Sequence, residues 1–342
     1  METGGAQNSV RYPSLDGWRG ISILLVLAAH LLPLGPKALQ LNATAGPMGM
    51  SLFFTLSGFL ITSFLLAKAD VIDFLIRRFF RIIPLAVLYI TVVLLLTKVD
   101  DVNKWLAHLL FYANWPPMQL GEATSHFWSL CVEIQFYVAI AILVAILGRR
   151  GLFLIPLICL SVTLFRVYDG VYIAINTYYR IDEILAGSVL ALFYAKMGSS
   201  RSFMTFSVPW PVYFLTGVVF VLSCHPETGA LNYIRPYLGA FLVGLTLYDN
   251  NKGGIRRILN SRILLYFAAI SFALYVVHGG LAHTWLGEGD LLEKYLKRPL
   301  LFVVAILLAH FSTFYYEKKC IRFGKALSGY YQRRKISFVD NS

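Results

Sequence analysis

Charge is scarce in this sequence. Asp, Glu, Lys and Arg make up 14% of its 342 residues, where a soluble globular chain carries about 25%. Hydrophobic residues make up 58%, and the mean hydropathy is +0.66. That balance excludes a soluble globular chain and implies a polytopic helical membrane protein. Acidic residues are the scarcer sign, 18 against 30 basic ones, for a net charge of +12. The surplus does not point to nucleic acid, because the basic residues stand in short segments between apolar runs, as the positive-inside rule requires. Cysteine is sparse too. Cys131, Cys159, Cys224 and Cys320 are scattered, with no C-x-x-C, so neither a disulfide framework nor a zinc site is indicated, and no metal is expected. There is no low-complexity segment and no internal repeat. Only Arg11 is basic ahead of the first apolar run, and no cleaved signal peptide is expected.

The chain has apolar sequence in abundance. About ten stretches, near 15–34, 48–67, 82–98, 128–147, 152–168, 180–196, 208–223, 233–248, 262–285 and 298–316, approach the ~20 residues a bilayer requires. The expected fold is all-α: one polytopic transmembrane helical bundle of about ten spans within 15–316. A short, basic, flexible cytoplasmic tail over 317–342 would follow, with no fused soluble domain. With the N-terminus inside, twenty of the thirty Lys and Arg residues fall on the cytoplasmic side, nine fall outside, and Arg19 lies within the first span. Both termini are therefore expected in the cytoplasm. The longest exterior loop, about 99–127, has room for a short interfacial helix near Val102 to Tyr112.

Ionisable residues inside such spans are costly and face a bundle interior or a cavity. The first span carries Asp16, Arg19 and His30. At about 100° per residue, Arg19 and His30 lie about 20° apart and Asp16 about 40° from the same line. In the fourth span His126, Ser129, Glu133 and Tyr137 recur at intervals of three, four and four, which makes one polar face. Arg180 and Asp182 open the sixth span, and His278 lies late in the ninth. The expected topology puts His30, Glu133, Asp182 and His278 in the outer half of the bilayer. Arg77, Arg78 and Arg81 fall on the cytoplasmic side. Arg78 and Arg81 are helix neighbours, and guanidinium groups suit bidentate phosphate binding.

A ligand with a phosphate-rich head and a long arm fits this division, and acyl-coenzyme A has that shape. His30 is the expected general base, since imidazole titrates near neutral pH. Glu133 would orient or charge-balance it, and Arg19 would stabilise an oxyanion or position the thioester. Two readings compete. Asp16 and Arg19 form a plain surface pair in one. In the other the chain is a transporter or flippase for a glycan or small polar solute, which would use similar groups.

Several blocks resemble one family in its order. Leu15-Asp16-Gly17-Trp18-Arg19-Gly20 with His30 is similar to the opening signature of acyltransferase family three, the integral-membrane carbohydrate O-acyltransferases. Phe53-Phe54-Thr55-Leu56-Ser57-Gly58-Phe59-Leu60 resembles the second block, and Arg78-Phe79-Phe80-Arg81 with Pro84 the cytoplasmic Arg-x-x-Arg. Phe127-Trp128-Ser129-Leu130-Cys131-Val132-Glu133-Ile134-Gln135-Phe136-Tyr137, Arg180-Ile181-Asp182 with Gly187, and Ser271-Phe272-Ala273-Leu274-Tyr275-Val276-Val277-His278 resemble the later ones. Cys131, Glu183 and Val277 depart from the family's usual residues.

The resemblance implies transfer of an acyl group, usually acetyl from acetyl-CoA, onto a hydroxyl of an extracytoplasmic or lipid-linked glycan at the bacterial inner membrane. His30, Arg19, Glu133 and Asp16 would be the catalytic set. Arg78, Arg81 and Arg77 would hold coenzyme A. Ser57, Trp128, Ser129, Gln135, Tyr137, Arg180, Asp182, Tyr275 and His278 would line the substrate site. The implied partners are acyl-CoA, the glycan acceptor and the lipid bilayer, with no nucleic acid.

Overall fold

A helix satisfies every backbone N–H and C=O within itself, which lets apolar sequence leave water. The computed structural model describes residues 13–198, 207–249 and 254–340, and no strand occurs among the described residues. Arg11, Arg201 and Lys252, three of the twenty basic residues expected on the cytoplasmic side, lie outside them.

Each apolar stretch is helical over most of its length. In order they are α1 (Pro13–Leu31), α2 (Leu41–Ala67) and α3 (Val71–Leu96). The short α4 (Val102–Leu109) lies within the segment 99–127. Next come α5 (Trp128–Leu147), α6 (Ile155–Tyr168), the single turn α7 (Thr177–Arg180) and α8 (Asp182–Gly198). The last are α9 (Trp210–Cys224), α10 (Arg235–Tyr248), the short α11 (Gly254–Leu259), α12 (Arg262–Ala282), α13 (Leu291–Phe311) and α14 (Lys318–Asp340). Asp70, Asp101, Ser261 and Asp290 cap α3, α4, α12 and α13 by accepting backbone N–H groups, the usual work of such residues at N-caps.

Among the described residues, five helical stretches are long and apolar enough to cross a membrane: Lys37–Ala67, Val71–Leu96, Glu122–Tyr168, Arg262–Ala282 and Leu292–Arg334. Helices α6, α9 and α10 have 14, 15 and 14 residues, short of a full span at 1.5 Å per residue. Leu95, Leu96, Ile146, Phe214 and Leu215 are exposed, as side chains facing lipid are.

Helices α1, α2, α8 and α12 pack closely at the centre. Small residues permit this where lipid supplies no hydrophobic drive between helices. A Cβ on Gly58 would stand 1.8 Å from the Ile184 carbonyl oxygen, and one on Gly187 2.0 Å from that of Thr55. Gly58→Val is therefore expected to push α2 and α8 apart at a cost of at least ~1–3 kcal/mol. The unfolding temperature in detergent measures it, and an unchanged value would show that the crossing has slack.

The segment after Glu317 departs from the expectation of a flexible tail. It is the helix α14, packed against the start of α3. Asp73 accepts from Arg77 Nε at 2.6 Å, from Lys68 Nζ at 3.0 Å and from Ser328 Oγ. Gln332 Nε2 donates to Asp70 Oδ2 at 2.8 Å. Charge-dense sequence read alone suggests a solvated tail, but here polar groups on one face are matched by α3.

Candidate active site

The polar residues gather at two levels of the bundle. Helices α1 and α12 both finish at one end, and their histidines meet there. His30 Nδ1 lies 3.1 Å from His278 Nε2, and the rings stack with centroids 5.1 Å apart. His278 Nδ1 lies 2.5 Å from the Tyr275 carbonyl oxygen. A carbonyl only accepts, so His278 Nδ1 carries the hydrogen, and in a neutral imidazole Nε2 is then the acceptor. His30 Nδ1–H donates to it, which leaves His30 Nε2 with a free lone pair. This tautomer assignment follows from the hydrogen-bond network. His30 is exposed at the mouth of a cavity of about 300 Å³.

A third imidazole, His126, completes the group. Its Nε2 is 3.1 Å from the Val276 carbonyl, and its ring centroid is 4.8 Å from that of His278. Gly279 makes room for it, since a Cβ there would lie 2.2 Å from the ring. The Tyr275 hydroxyl donates to the His126 carbonyl at 2.5 Å and lies 2.5 Å from Ser129 Oγ. Ser129 and Tyr275 thus brace the histidine cluster. His126 belongs to the polar face read from the sequence, but its three-residue spacing to Ser129 did not single it out as a site residue.

The second level holds Arg19, Arg78, Arg81, Glu133 and Tyr137, with Arg19 and Arg81 each within electrostatic reach of the other four. The Arg78 guanidinium carbon is 5.7 Å from the Tyr137 ring centroid. Glu133 Oε1 accepts from the Tyr137 hydroxyl at 2.5 Å and from Ser57 Oγ at 2.6 Å. Asp16 pairs with Arg19 at 3.9 Å, so the plain pair at this end is present.

Two expectations change here. Glu133 stands with the arginines and not with His30, whose partner is His278. Arg19 shares the face of His30, but eleven residues place it about 16 Å away along α1, so it joins Arg78 and Arg81 and does not reach an oxyanion at His30. Arg77 also separates from its neighbours. Its Nη2 donates to Ser328 Oγ at 3.1 Å and its Nε to Asp73, so it fastens α14 and turns away from Arg78 and Arg81. A residue missed by sequence reading is Glu317, buried and within electrostatic reach of Arg81. It closes a π-helical segment, Ser312–Glu317, and accepts from Thr313 Oγ1 at 2.9 Å. Such bulges recur at functional sites.

Arg180 and Asp182 belong to a buried ion cluster. Arg166 Nη1 lies 2.5 Å from Asp182 Oδ2, Arg235 Nε 2.7 Å from Glu183 Oε1, and Arg180 Nη1 3.4 Å from Glu183 Oε1. Arg180 also stands over Trp128, 5.3 Å from the ring centroid. Arg166, Glu183 and Arg235 sit in apolar sequence on three separate helices, and nothing in their spacing announces that they meet. Removing one member strands its partners. Glu183→Gln is expected to destabilise the protein by ~3–5 kcal/mol, read as detergent unfolding, with Arg235→Met restoring part of the loss. A negligible change would mean that water already screens the cluster.

Gln135 also leaves the site. Its Nε2 donates to the Phe111 carbonyl at 2.7 Å, and its Oε1 accepts from Trp115 Nε1 at 2.8 Å and Thr177 Oγ1 at 2.5 Å. It fastens the loop after α4 to α5 and α7.

Residues 12–317 match the sequence model of an acyltransferase domain. The chain belongs to acyltransferase family three. Both clusters lie within the matched region. Among its relatives is "O-acetyltransferase OatA" of Staphylococcus aureus strain NCTC 8325 / PS 47, 25% identical over 320 residues, covering 79% of this chain and 50% of the relative. The proteins of the same name from strains COL and MRSA252 give the same figures, 25% over 320 residues with 79% and 50% coverage. The chain thus spans about half the length of these relatives. No solved structure matches it.

Proposed function

We propose that this family member is a multi-pass O-acyltransferase of the bacterial inner membrane. It crosses the bilayer about ten times with both termini in the cytoplasm. It moves an acyl group, acetyl by preference, from cytoplasmic acyl-CoA to a hydroxyl of an extracytoplasmic or lipid-linked glycan. The observation that carries this reading is the His30–His278 pair. It presents an unprotonated Nε2 at a cavity mouth, where a general base must stand to meet a hydroxyl. The names of the relatives point the same way.

The donor suits the arginine level. Among the described residues neither Arg78 nor Arg81 is ion-paired to a carboxylate, so their forks are available to phosphate oxygens. About 16 Å of α1 separates Arg19 from His30, a gap suited to the extended pantetheine arm.

At His30, Nε2 takes the proton of the acceptor hydroxyl as its oxygen attacks the thioester carbonyl. The new C–O bond replaces the C–S bond, and the imidazolium proton passes to the departing thiolate. His278, holding Nδ1–H, keeps the ring in place through both transfers.

Radiolabelled acetyl-CoA supplied to membranes carrying the protein is the direct test. Label entering surface glycan supports the reading. No label, with no coenzyme A binding and with solute uptake into vesicles, would replace it with a transporter.

A further inference from the structure

The cavity at His30 is lined by cations as well as imidazoles. Lys294 and Arg298 of α13 face it, with His126, His278 and His283. Four residues apart, Lys294 and Arg298 share one helix face. Lys297 between them shows what an ordinary interfacial lysine does here. Its Nζ lies 2.5 Å from Glu293 Oε1 and 4.7 Å from the Trp285 ring centroid, with the stem snorkelled along apolar surface.

Lys294 and Arg298 have no such carboxylate. Among the described residues neither is ion-paired to a carboxylate, and no Asp or Glu lines the cavity. Glu122 approaches His283 to 3.9 Å, but its side chain is 92% exposed. Arg298 lies 4.6 Å from the Tyr295 ring centroid, and its Nη1 is buried without a hydrogen-bond partner. A buried donor left unmet is costly, and a ligand oxygen that meets it recovers the loss. The site of the base therefore holds two fixed cations, one open guanidinium donor and no anion.

We propose that the acceptor carries an anionic group, a carboxylate or a phosphate, near the hydroxyl that is acylated, and that Lys294 and Arg298 bind it. This rests on the His30 cavity being the acceptor site. The guanidinium fork matches carboxylate and phosphate oxygens alike, and Lys294 adds a second point charge. A neutral saccharide would leave Arg298 Nη1 without an ionic acceptor.

The test uses the full chain in nanodiscs and three probes: galacturonate trisaccharide, galactose trisaccharide and galactose 1-phosphate. Coenzyme A is titrated separately. At least one acidic probe is expected to bind about tenfold more tightly than the neutral one, the effect of one charge-assisted hydrogen bond. The probe that does so identifies carboxylate or phosphate. Lys294→Gln with Arg298→Gln is expected to abolish the difference and spare coenzyme A binding, while Lys294→Arg keeps it. Equal binding of all three probes, including none, overturns the proposal. So does loss of coenzyme A affinity in a Gln variant that unfolds at the wild-type temperature, since the cations would then serve the donor. Charge-selective binding without acyl transfer would refute the acyltransferase reading alone. Undiminished transfer to an acidic glycan by the Gln variant would refute the anion site alone.

Discussion

Alanine at position 30 is expected to lower kcat for acyl transfer by roughly 10²- to 10⁴-fold, the range for loss of a positioned general base. His30 is exposed at the cavity mouth, so its truncation opens no core void and the fold is expected to stand. Coenzyme A binding should also persist, because the arginines that would hold it, Arg78 and Arg81 of α3, gather at the level of Arg19, about 16 Å from His30 along α1. The loss thus falls on kcat and not on the donor KM, the mark of a group used in the transition state. Label from acetyl-CoA, measured beside coenzyme A binding on the same preparation, reads both. Turnover within a few-fold of wild type would remove His30 as the base. The partner histidine refines the test. His278→Ala removes the acceptor for His30 Nδ1–H, and the ring is then free to turn or change tautomer. A smaller loss than at position 30 is expected. His278→Gln offers a carbonyl acceptor and should recover part of it. Equal loss in both variants would assign His278 a packing role.

The sequence shows helices more readily than it shows partners. The apolar runs are helical over most of their length, because a segment that leaves water has few alternatives to a helix. Run length did not show that, among the described residues, five helical stretches are long and apolar enough to span, since short helices such as α9 and α10 read as apolar runs too. Helical periodicity placed His30 and Arg19 on one stripe and Arg78 beside Arg81. It could not show that His30 meets His278, 248 residues away, or that Glu133 meets Ser57. Periodicity is a property of one helix, while those contacts depend on which helices adjoin. Arg77, Arg78 and Arg81 make the point most sharply. Sequence treats them as one basic cluster, yet Arg77 is turned about 100° from Arg78 and spends its donors on Asp73 and Ser328.

That division separates the proposed phosphate site from a topology signal. All three arginines contribute equally to a positive-inside count, so an anchoring role would predict similar, small effects from each. The structure predicts unequal ones. Arg78→Ala with Arg81→Ala is expected to raise the KM for acetyl-CoA by roughly 10²-fold or more, since each charge-assisted hydrogen bond to phosphate is worth about 1.5–3 kcal/mol. Maximal turnover should change little, because binding lost equally from ground and transition states leaves kcat in place. Arg77→Ala should do the reverse. It leaves Asp73, which is 1% exposed, with fewer donors, and so lowers the unfolding temperature through the α3–α14 contact while sparing KM. Titration of coenzyme A with each variant, beside thermal unfolding, separates the two outcomes. An unchanged KM in the double variant would return Arg78 and Arg81 to plain anchoring and leave the donor without a site at this end. A raised KM in Arg77→Ala at wild-type stability would mean that the hydrogen bonds to Asp73 and Ser328 give way when the donor binds.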